Sequence, residues 1–261
     1  MKDQQEQAPI TRTISRAMAI LQAFDETQLE LGVTELSQLT GLDKSTVYRL
    51  LNALQQGGLI AQNVVTAKYH LGFGLLPLAG LALQNLDLPR IVRPYLEELA
   101  EISKETVSLS LLNDDGRVVN IEGINSSRRV RNVGWIGREM PAHAVSGGKV
   151  MMAFLPGERL ERLLAGDLKA QTENTITTRE GLLRELEEIR KVGYAIAREE
   201  LEIGLNAVAA PIWDHEGTVA AALSVSGPSF RLSGERLVEL GRATKLAADR
   251  ISRQIGYTPK G

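Results

Sequence analysis

The sequence predicts an α+β protein with an N-terminal winged helix-turn-helix, a linker helix and a C-terminal α+β domain built on an antiparallel sheet. Three observations predict this fold class. A length of 261 residues is enough for about two domains, each with its own core. Three short segments with helical apolar spacing precede a hairpin pattern near the N-terminus. Beyond residue 89, strand-like and helical segments alternate, which is typical of antiparallel sheets covered by helices.

The first two helices follow a polar, tail-like segment over residues 1–11. From Arg12 onward, apolar residues at helical spacing predict the first helix, which ends before a polar turn. A second helix fits residues 33–40, with Gly32 as its N-cap and Gly41 as its stop.

The third helix is predicted over residues 44–56, with Asp43 as its N-cap. Its apolar residues fall at positions i, i+3, i+4 and i+7, namely Val47, Leu50, Leu51 and Leu54. Glycines end the helix, and two short strands over 59–62 and 68–71 flank a turn. Two helices, a tight turn, a third helix and a hairpin together predict a winged helix-turn-helix over residues 12–72.

A linker over residues 73–88 follows this domain. Its helical part is apolar on nearly every side, so it must be buried. Because it lies between two domain-like segments, we expect its partner to be a second copy of itself.

The remaining residues, 89–261, form the predicted α+β domain. Its helices are expected over 91–103, 146–155, 156–164, 180–192 and 236–255. Its strands are expected over 107–112, 117–122, 206–213 and 218–226, with a further strand over 128–134.

Composition excludes several classes of protein. The chain has no cysteine, which rules out disulfides, thiolate metal sites and cysteine nucleophiles. No apolar run approaches the length of a membrane span, and the first residues do not form a signal peptide. We therefore expect a cytoplasmic protein that does not engage a membrane. The formal charge of -2 removes any argument for nucleic-acid binding from bulk basicity.

The polar side of the third helix is the sharpest functional signal, because the second helix of a helix-turn-helix enters the major groove of DNA. The side chains predicted to contact bases or phosphates there are Lys44, Ser45, Thr46, Tyr48 and Arg49. Further phosphate contacts are predicted from Arg12, Arg16 and Lys68. The alternative is an ordinary solvated face, since the cations and acids of residues 12–72 balance. Their distribution favours DNA, because the cations lie in the first helix, the third helix and the wing.

One feature keeps an enzyme open as an alternative. Ser146 and Lys149 have the S-x-x-K spacing of acyl-serine hydrolases, but the companion S-D-N and K-T-G elements are absent. The three histidines are too scattered for a metal site. We therefore expect no catalytic residue, no metal and no cofactor.

The chain resembles the IclR family of bacterial transcriptional regulators. The resemblance rests on RAMAILQAF and VTELSQLTGLDKSTVYRLLNALQQGGLI in the N-terminal part, and on MPAHAVSGGKVMMAFL, GYAIAREELEIGLNAVAAPIWDHEG and AALSVSGPSFRL in the C-terminal part. These motifs occur in the family's order over roughly residues 12–255. The resemblance implies a GAF/PAS-like effector-binding domain, dimers that often pair into tetramers, palindromic operators, and small effectors that are commonly carboxylates or aromatics.

The effector site is predicted at the start of the helix that opens with Ser146-Gly147-Gly148, where free backbone N–H groups can receive an anion. Close packing by the two glycines is the alternative. The lining positions that the resemblance implies are Ser146, Gly147, Leu205, Ala207, Ser224 and Ser226. Ser224 and Ser226 alternate with Val225, so their hydroxyls share one face of a strand.

Two positions depart from the family pattern. Several members that bind small carboxylates carry Asp at the position of Ala197 and a cysteine or small polar residue at that of Ala207. Both exchanges enlarge the pocket and make it less polar, which favours an effector bulkier than a two- or three-carbon acid, such as an aromatic or a sugar-derived acid. Trp135 either stacks on this ligand or fills the core, and we favour the core.

The sequence thus predicts a regulator that binds double-stranded DNA at a pseudo-palindromic operator, as a dimer or a dimer of dimers. We expect a repressor whose operator affinity responds to a small organic effector. The alternatives are the S-x-x-K hydrolase or transferase and a winged-helix module that binds proteins.

Overall fold

The computed structural model describes residues 9–25, 28–84, 88–134 and 136–258. Residues 1–8 of the predicted tail and Trp135 therefore lie outside the described residues. The chain divides into two compact units, residues 1–85 and 86–261. The division falls inside the segment predicted as a linker.

The first unit contains three helices, a hairpin and a fourth helix. Their bounds are α1 Pro9–Leu21, α2 Val33–Thr40, α3 Lys44–Gln56, β1 Ile60–Gln62, β2 Tyr69–Leu71 and α4 Leu75–Gln84. Helix α1 begins inside the segment predicted as a tail. The strands β1 and β2 pair antiparallel, with Ile60 opposite Leu71. One apolar core, which includes Ile20, Leu36 and Leu51, joins the first three helices to the hairpin.

The second unit is a six-stranded antiparallel sheet with helices. Its helices are α5 Leu88–Ser103, α6 Ser146–Ala153, α7 Gly157–Leu164, α8 Arg179–Val192 and α9 Gly234–Gln254, with a 3-10 turn over Ala142–Ala144. Its strands are β3 Thr106–Leu112, β4 Arg117–Ile124, β5 Glu139–Pro141, β6 Ala195–Arg198, β7 Leu205–Trp213 and β8 Val219–Pro228. The strand order is β5-β4-β3-β8-β7-β6. Helix α6 packs against β7, β8 and α8, while α5 and α9 pack against each other and the sheet.

Three strand assignments differ from the prediction. The strand expected over 128–134 is absent, and these residues form a loop. Side chains bind its carbonyl groups, since Arg231 donates to Val130 O and Thr106 donates to Asn132 O. The sheet edge is instead the short strand β5. Strand β6 was not predicted, because four residues directly after a helix carry too little alternation to be recognised.

Two kinds of feature are missing from the described part of the chain. No helix in it is both long enough and apolar enough to cross a lipid bilayer. The same residues contain no group of three or more histidines and acids that could hold a metal ion.

Candidate functional site

The first unit presents a polar face on helix α3. The buried residues of this helix are Val47, Leu50, Leu51 and Leu54. Because they occupy one side, the other side faces outward. The residues exposed there are Lys44, Ser45, Tyr48 and Arg49, with Thr46 half-buried. The structure thus brings together all five residues predicted from this helix.

Asp43 organises the start of this face as the N-cap of α3. Its carboxylate accepts hydrogen bonds from the Thr46 amide at 2.8 Å, the Ser45 hydroxyl at 2.6 Å and the Thr46 hydroxyl at 2.8 Å. These donors, the Ser45 hydroxyl first, hold the pKa of Asp43 well below its usual range. Because both hydroxyl protons are engaged, Ser45 and Thr46 offer acceptors, whereas the cations and the tyrosine of this face supply donors.

The three cations predicted outside α3 differ in their surroundings. Arg12 is exposed and Arg16 is half-buried, four residues apart on α1. Lys68, at the end of the wing, forms an ion pair with Glu35 at 3.0 Å. The Gly32 amide and then Lys68 lower the pKa of Glu35, so this carboxylate stays ionised at neutral pH. Lys68 is therefore already engaged within its own domain, which its sequence position did not indicate.

The second unit holds a cavity between helix α6 and the sheet. It contains about 540 Å³ of empty space, including a part open to solvent. All six residues predicted for an effector site line it: Ser146, Gly147, Leu205, Ala207, Ser224 and Ser226.

Helix α6 contributes its first turn to this cavity. Val145 precedes the helix in an extended conformation and provides no side-chain cap. The first amides of a helix have no acceptor within it, so this turn can bind an anion. The two glycines have different roles. Gly147 lines the cavity, whereas a Cβ on Gly148 would lie 2.2 Å from the carbonyl oxygen of Ala142, so the close-packing alternative applies to Gly148.

A polar wall crosses the neighbouring strands β3 and β8. The antiparallel register places Ser108 opposite Ser224, and both line the cavity. Ser224 Oγ donates to Ser108 O at 3.3 Å, and Ser226 Oγ accepts from Asn132 Nδ2 at 2.8 Å. The polar lining residues that the sequence did not predict are Ser108, Ser110, Asn120 and Asn132. Ser108 and Ser110 alternate with apolar residues, the same pattern that supports the serines of β8, which the resemblance had implied.

Another part of the lining is apolar. Ala197 of β6 and Ala207 of β7 are register partners, and Leu201 and Leu205 lie beside them in the lining. The two alanines, at which the resemblance predicts a less polar pocket, are thus neighbours in an apolar patch of the lining. None of the described residues that line the cavity is charged. Within the described part of the lining, only the start of α6, the hydroxyls and the side-chain amides can compensate a charge on a ligand.

Lys149 lies one turn beyond Ser146 and is fully buried. Its ammonium donates to Glu200 Oε1 at 2.7 Å, Glu200 Oε2 at 2.9 Å, Glu185 Oε1 at 3.1 Å and Ile196 O at 2.8 Å. Burial raises the pKa of Glu200, and Lys149 opposes that rise. An ammonium surrounded by these oxygens cannot act as the base that S-x-x-K chemistry requires of a lysine.

A winged helix-turn-helix in one unit and an uncharged, serine-lined cavity in the other define a class of DNA-binding proteins with a small-molecule sensor domain. Two family models match the chain: "Bacterial transcriptional regulator IclR C-terminal" over residues 80–253 and "IclR helix-turn-helix domain" over residues 13–64. The chain belongs to the IclR family and is a DNA-binding transcriptional regulator, not an enzyme.

Individual relatives match over nearly the whole chain. The HTH-type transcriptional regulator KdgR of Escherichia coli K12 is 39% identical over 256 residues, which are 98% of this chain and 97% of KdgR. The HTH-type transcriptional repressor AllR of the same strain is 32% identical over 246 residues, 94% of this chain and 90% of AllR. Among solved structures, an IclR homolog from Microbacterium hydrocarbonoxydans complexed with 4-hydroxybenzoate matches with a TM-score of 0.78 at 25% identity, covering 93% of this chain and 99% of that chain.

Proposed function

We propose that this regulator is a repressor that binds a pseudo-palindromic operator as a homo-oligomer and changes its operator affinity when a small organic ligand fills the cavity of the second unit. The observation that carries the proposal is the cavity itself, because all six residues expected for an effector line it. The name of AllR supports the direction of regulation, since that relative is a repressor.

The DNA contacts follow from the polar face of α3. Ser45, Thr46, Tyr48 and Arg49 read base edges in the major groove, and Lys44 approaches the phosphates. Arg12 and Arg16 of α1 add phosphate contacts that position the domain without reading sequence. Lys68 reaches a phosphate only by sharing its ammonium with Glu35 or by leaving it, so its contribution is smaller than that of a free cation.

The ligand is an organic acid or an aromatic compound. Its acidic group binds the first turn of α6 beside Ser146, and its polar substituents meet the serines of β3 and β8. The apolar patch around Ala197 and Ala207 accommodates a carbon skeleton larger than two or three atoms. The 4-hydroxybenzoate in the Microbacterium homolog is a ligand of this kind and supports the class.

The oligomer forms through the segment that contains α4. Four large apolar side chains there are strongly exposed, namely Phe73, Leu76, Leu78 and Leu81. Exposed apolar patches of this kind mark sites of interaction with other protein chains. A second copy of the segment covers it under two-fold symmetry and presents two α3 helices to two half-sites, about one or more helical turns of DNA apart. Both a dimer and a dimer of dimers satisfy this arrangement. Because the proposed operator is genomic DNA, the proposed function also implies a cytoplasmic protein.

The ligand acts by preferring one arrangement of the paired DNA-binding domains. It shifts operator affinity only as far as its own affinity differs between the two arrangements.

Selection of genomic fragments by the purified full-length protein tests this function. We expect enrichment of fragments with an inverted repeat, and loss of that enrichment when one compound from a panel of organic acids and aromatics is added. Thermal shift identifies the compound in parallel, because a ligand that binds the folded state raises its stability. Equal recovery of genomic and random duplexes, with and without every compound, would overturn the proposal.

A further inference from the structure

Lys149 is a fully buried lysine that does not line the cavity. Residues close in sequence to Lys149 and to its hydrogen-bond partners do line it. In its own helix, Ser146 and Gly147 line the cavity. In strand β6, the ammonium binds the carbonyl of Ile196, and the next residue, Ala197, lines the cavity. Lys149 therefore connects helix α6 and strand β6, two parts of the cavity wall, without lining the cavity itself.

The third connection reaches the loop between β6 and β7, residues 199–204. Both carboxylate oxygens of Glu200 bind Lys149, and the following residue, Leu201, lines the cavity. The carboxylate is itself buried, with only 7% of the residue exposed. A buried carboxylate without its cation is strongly disfavoured, so the ion pair holds the loop in place.

A second set of contacts limits how this loop can move. Thr172 donates its hydroxyl to Glu199 O at 2.6 Å, and Thr175 donates to Glu200 O at 2.6 Å. Glu199 has a φ of 55°, a left-handed conformation that a non-glycine residue keeps only when its surroundings impose it. The loop is thus constrained at its first two residues, while Glu202, Ile203 and Gly204 are exposed.

We propose that Lys149 is a positioning residue, which holds the β6–β7 loop against the cavity and sets how often the cavity opens, without touching the ligand. The proposal rests on the function proposed above only in taking the cavity as the place where a ligand binds. Opening of the loop can be measured with no ligand present.

The absence of cysteine from the chain allows a direct experiment on the full-length protein. Ala197→Cys places one thiol in the cavity wall, and its rate of modification by 5,5′-dithiobis(2-nitrobenzoate) reports opening. Ala210→Cys places a thiol in the core of β7, at a fully buried position, and reports general unfolding. Each reporter is combined with Lys149→Met and, as a matched control, with Lys191→Met, which removes an exposed lysine paired with Glu188.

Lys149→Met is expected to raise the labelling rate at position 197 by at least about tenfold through local opening, while the rate at position 210 stays unchanged. Lys191→Met should change neither rate. Equal acceleration at positions 197 and 210 would show that Lys149 only stabilises the domain, and an unchanged rate at 197 would show that it does not hold the loop. Either result overturns the proposal.

Glu200→Gln provides a second variant if Lys149→Met does not fold. It keeps a hydrogen-bond acceptor but removes the charge, so labelling at position 197 should accelerate less than in Lys149→Met, and still without change at 210. No acceleration at 197 in this variant would contradict the proposal. Because no ligand is added, failure of this experiment leaves the proposed regulatory function standing. Failure of the genomic-fragment selection would likewise leave the proposed role of Lys149 standing.

Discussion

Arg49 is the side chain of the α3 face with the greatest capacity for specific contact. It is exposed, and among the described residues no carboxylate pairs with it. A free guanidinium presents a fork of donors that matches the acceptor edge of guanine. Its neighbour Tyr48 is 55% exposed, so its ring and hydroxyl are accessible from solvent.

We expect Arg49→Ala to weaken operator binding by roughly 1 to 3 kcal/mol and to relax sequence preference at one base pair of each half-site. Folding should be unaffected, because the side chain packs against no core. Fluorescence anisotropy with a labelled operator measures the loss, and Arg184→Ala, which removes an exposed arginine of α8, serves as the control. Wild-type affinity in a folded Arg49→Ala protein would remove this residue from the interface.

Ser146 lies at the cavity and is the residue chosen to test ligand binding, as Arg49 is chosen to test DNA binding. It is only 2% exposed and begins α6, so a larger side chain there must enter the cavity. We expect Ser146→Leu to lower ligand affinity by at least about tenfold, the effect of losing one hydrogen bond and the space beside it. DNA binding without ligand should persist. Thermal shift and operator binding with the identified ligand measure both properties, with Ser127→Leu in an exposed loop as control. A retained response would place the ligand elsewhere.

At the scale of elements, the helices of the first unit were predictable because their ends carry local signals. The bounds predicted for α2 and α3 agree with the structure, since Gly41 ends α2 with a φ of 68° and Asp43 caps α3 through its own side chain. The wing strands were predicted within one residue. The errors fall on β5 and β6, short strands whose pairing partners, rather than their own sequence, make them strands.

Gly148 shows how packing overrides a local preference. In an isolated helix, alanine would be more stable than glycine by about 1 kcal/mol. Here a Cβ would lie 2.2 Å from the backbone oxygen of Ala142, so helix α6 or the turn before it must move. We expect Gly148→Ala to reduce the free energy of unfolding of the second unit by roughly 1 to 3 kcal/mol.

Chemical denaturation followed by tryptophan fluorescence measures this effect, because both tryptophans, Trp135 and Trp213, belong to the second unit. Gly157→Ala is the matched control. It lies at the start of α7, where an added Cβ would have no neighbouring atom within 4 Å, so it should be neutral or slightly stabilising. Equal stability of the Gly148 and Gly157 variants would mean that the contact at Ala142 relaxes without cost.

At the scale of the whole molecule, the net charge does not favour DNA binding, so the electrostatic attraction of DNA must come from a local group of cations. The formal charge is -2, so the protein as a whole does not attract DNA. Attraction has to arise from the cations of α1 and α3, which occupy one end of the sequence. Specific binding should nevertheless depend steeply on salt, since each phosphate contact releases counterions.

We expect the logarithm of operator affinity to fall linearly with the logarithm of salt concentration, and Lys44→Ala to reduce the slope by about 0.9 for each phosphate that the lysine no longer neutralises. Titrations of operator binding between low and moderate salt measure the slope, and Lys169→Ala, at an exposed position of the second unit, is the control. A slope near zero would favour the winged-helix module that binds proteins instead of DNA.

The sequence by itself determined the helices, the longer strands and the polar face of α3, because helical period, caps and turn residues act within a few positions of one another. Resemblance to the family added six of the sixteen described residues that line the cavity, Ser146, Ser224 and Ser226 among them. Only the tertiary structure decided which residues complete the cavity. Ser108 meets Ser224, Ala197 meets Ala207, and Lys149 meets Glu200 because strand register and helix packing join distant segments. Local periodicity carries no information about register between strands that are far apart in the chain, and this is the physical reason why the site remained incomplete until the fold was known.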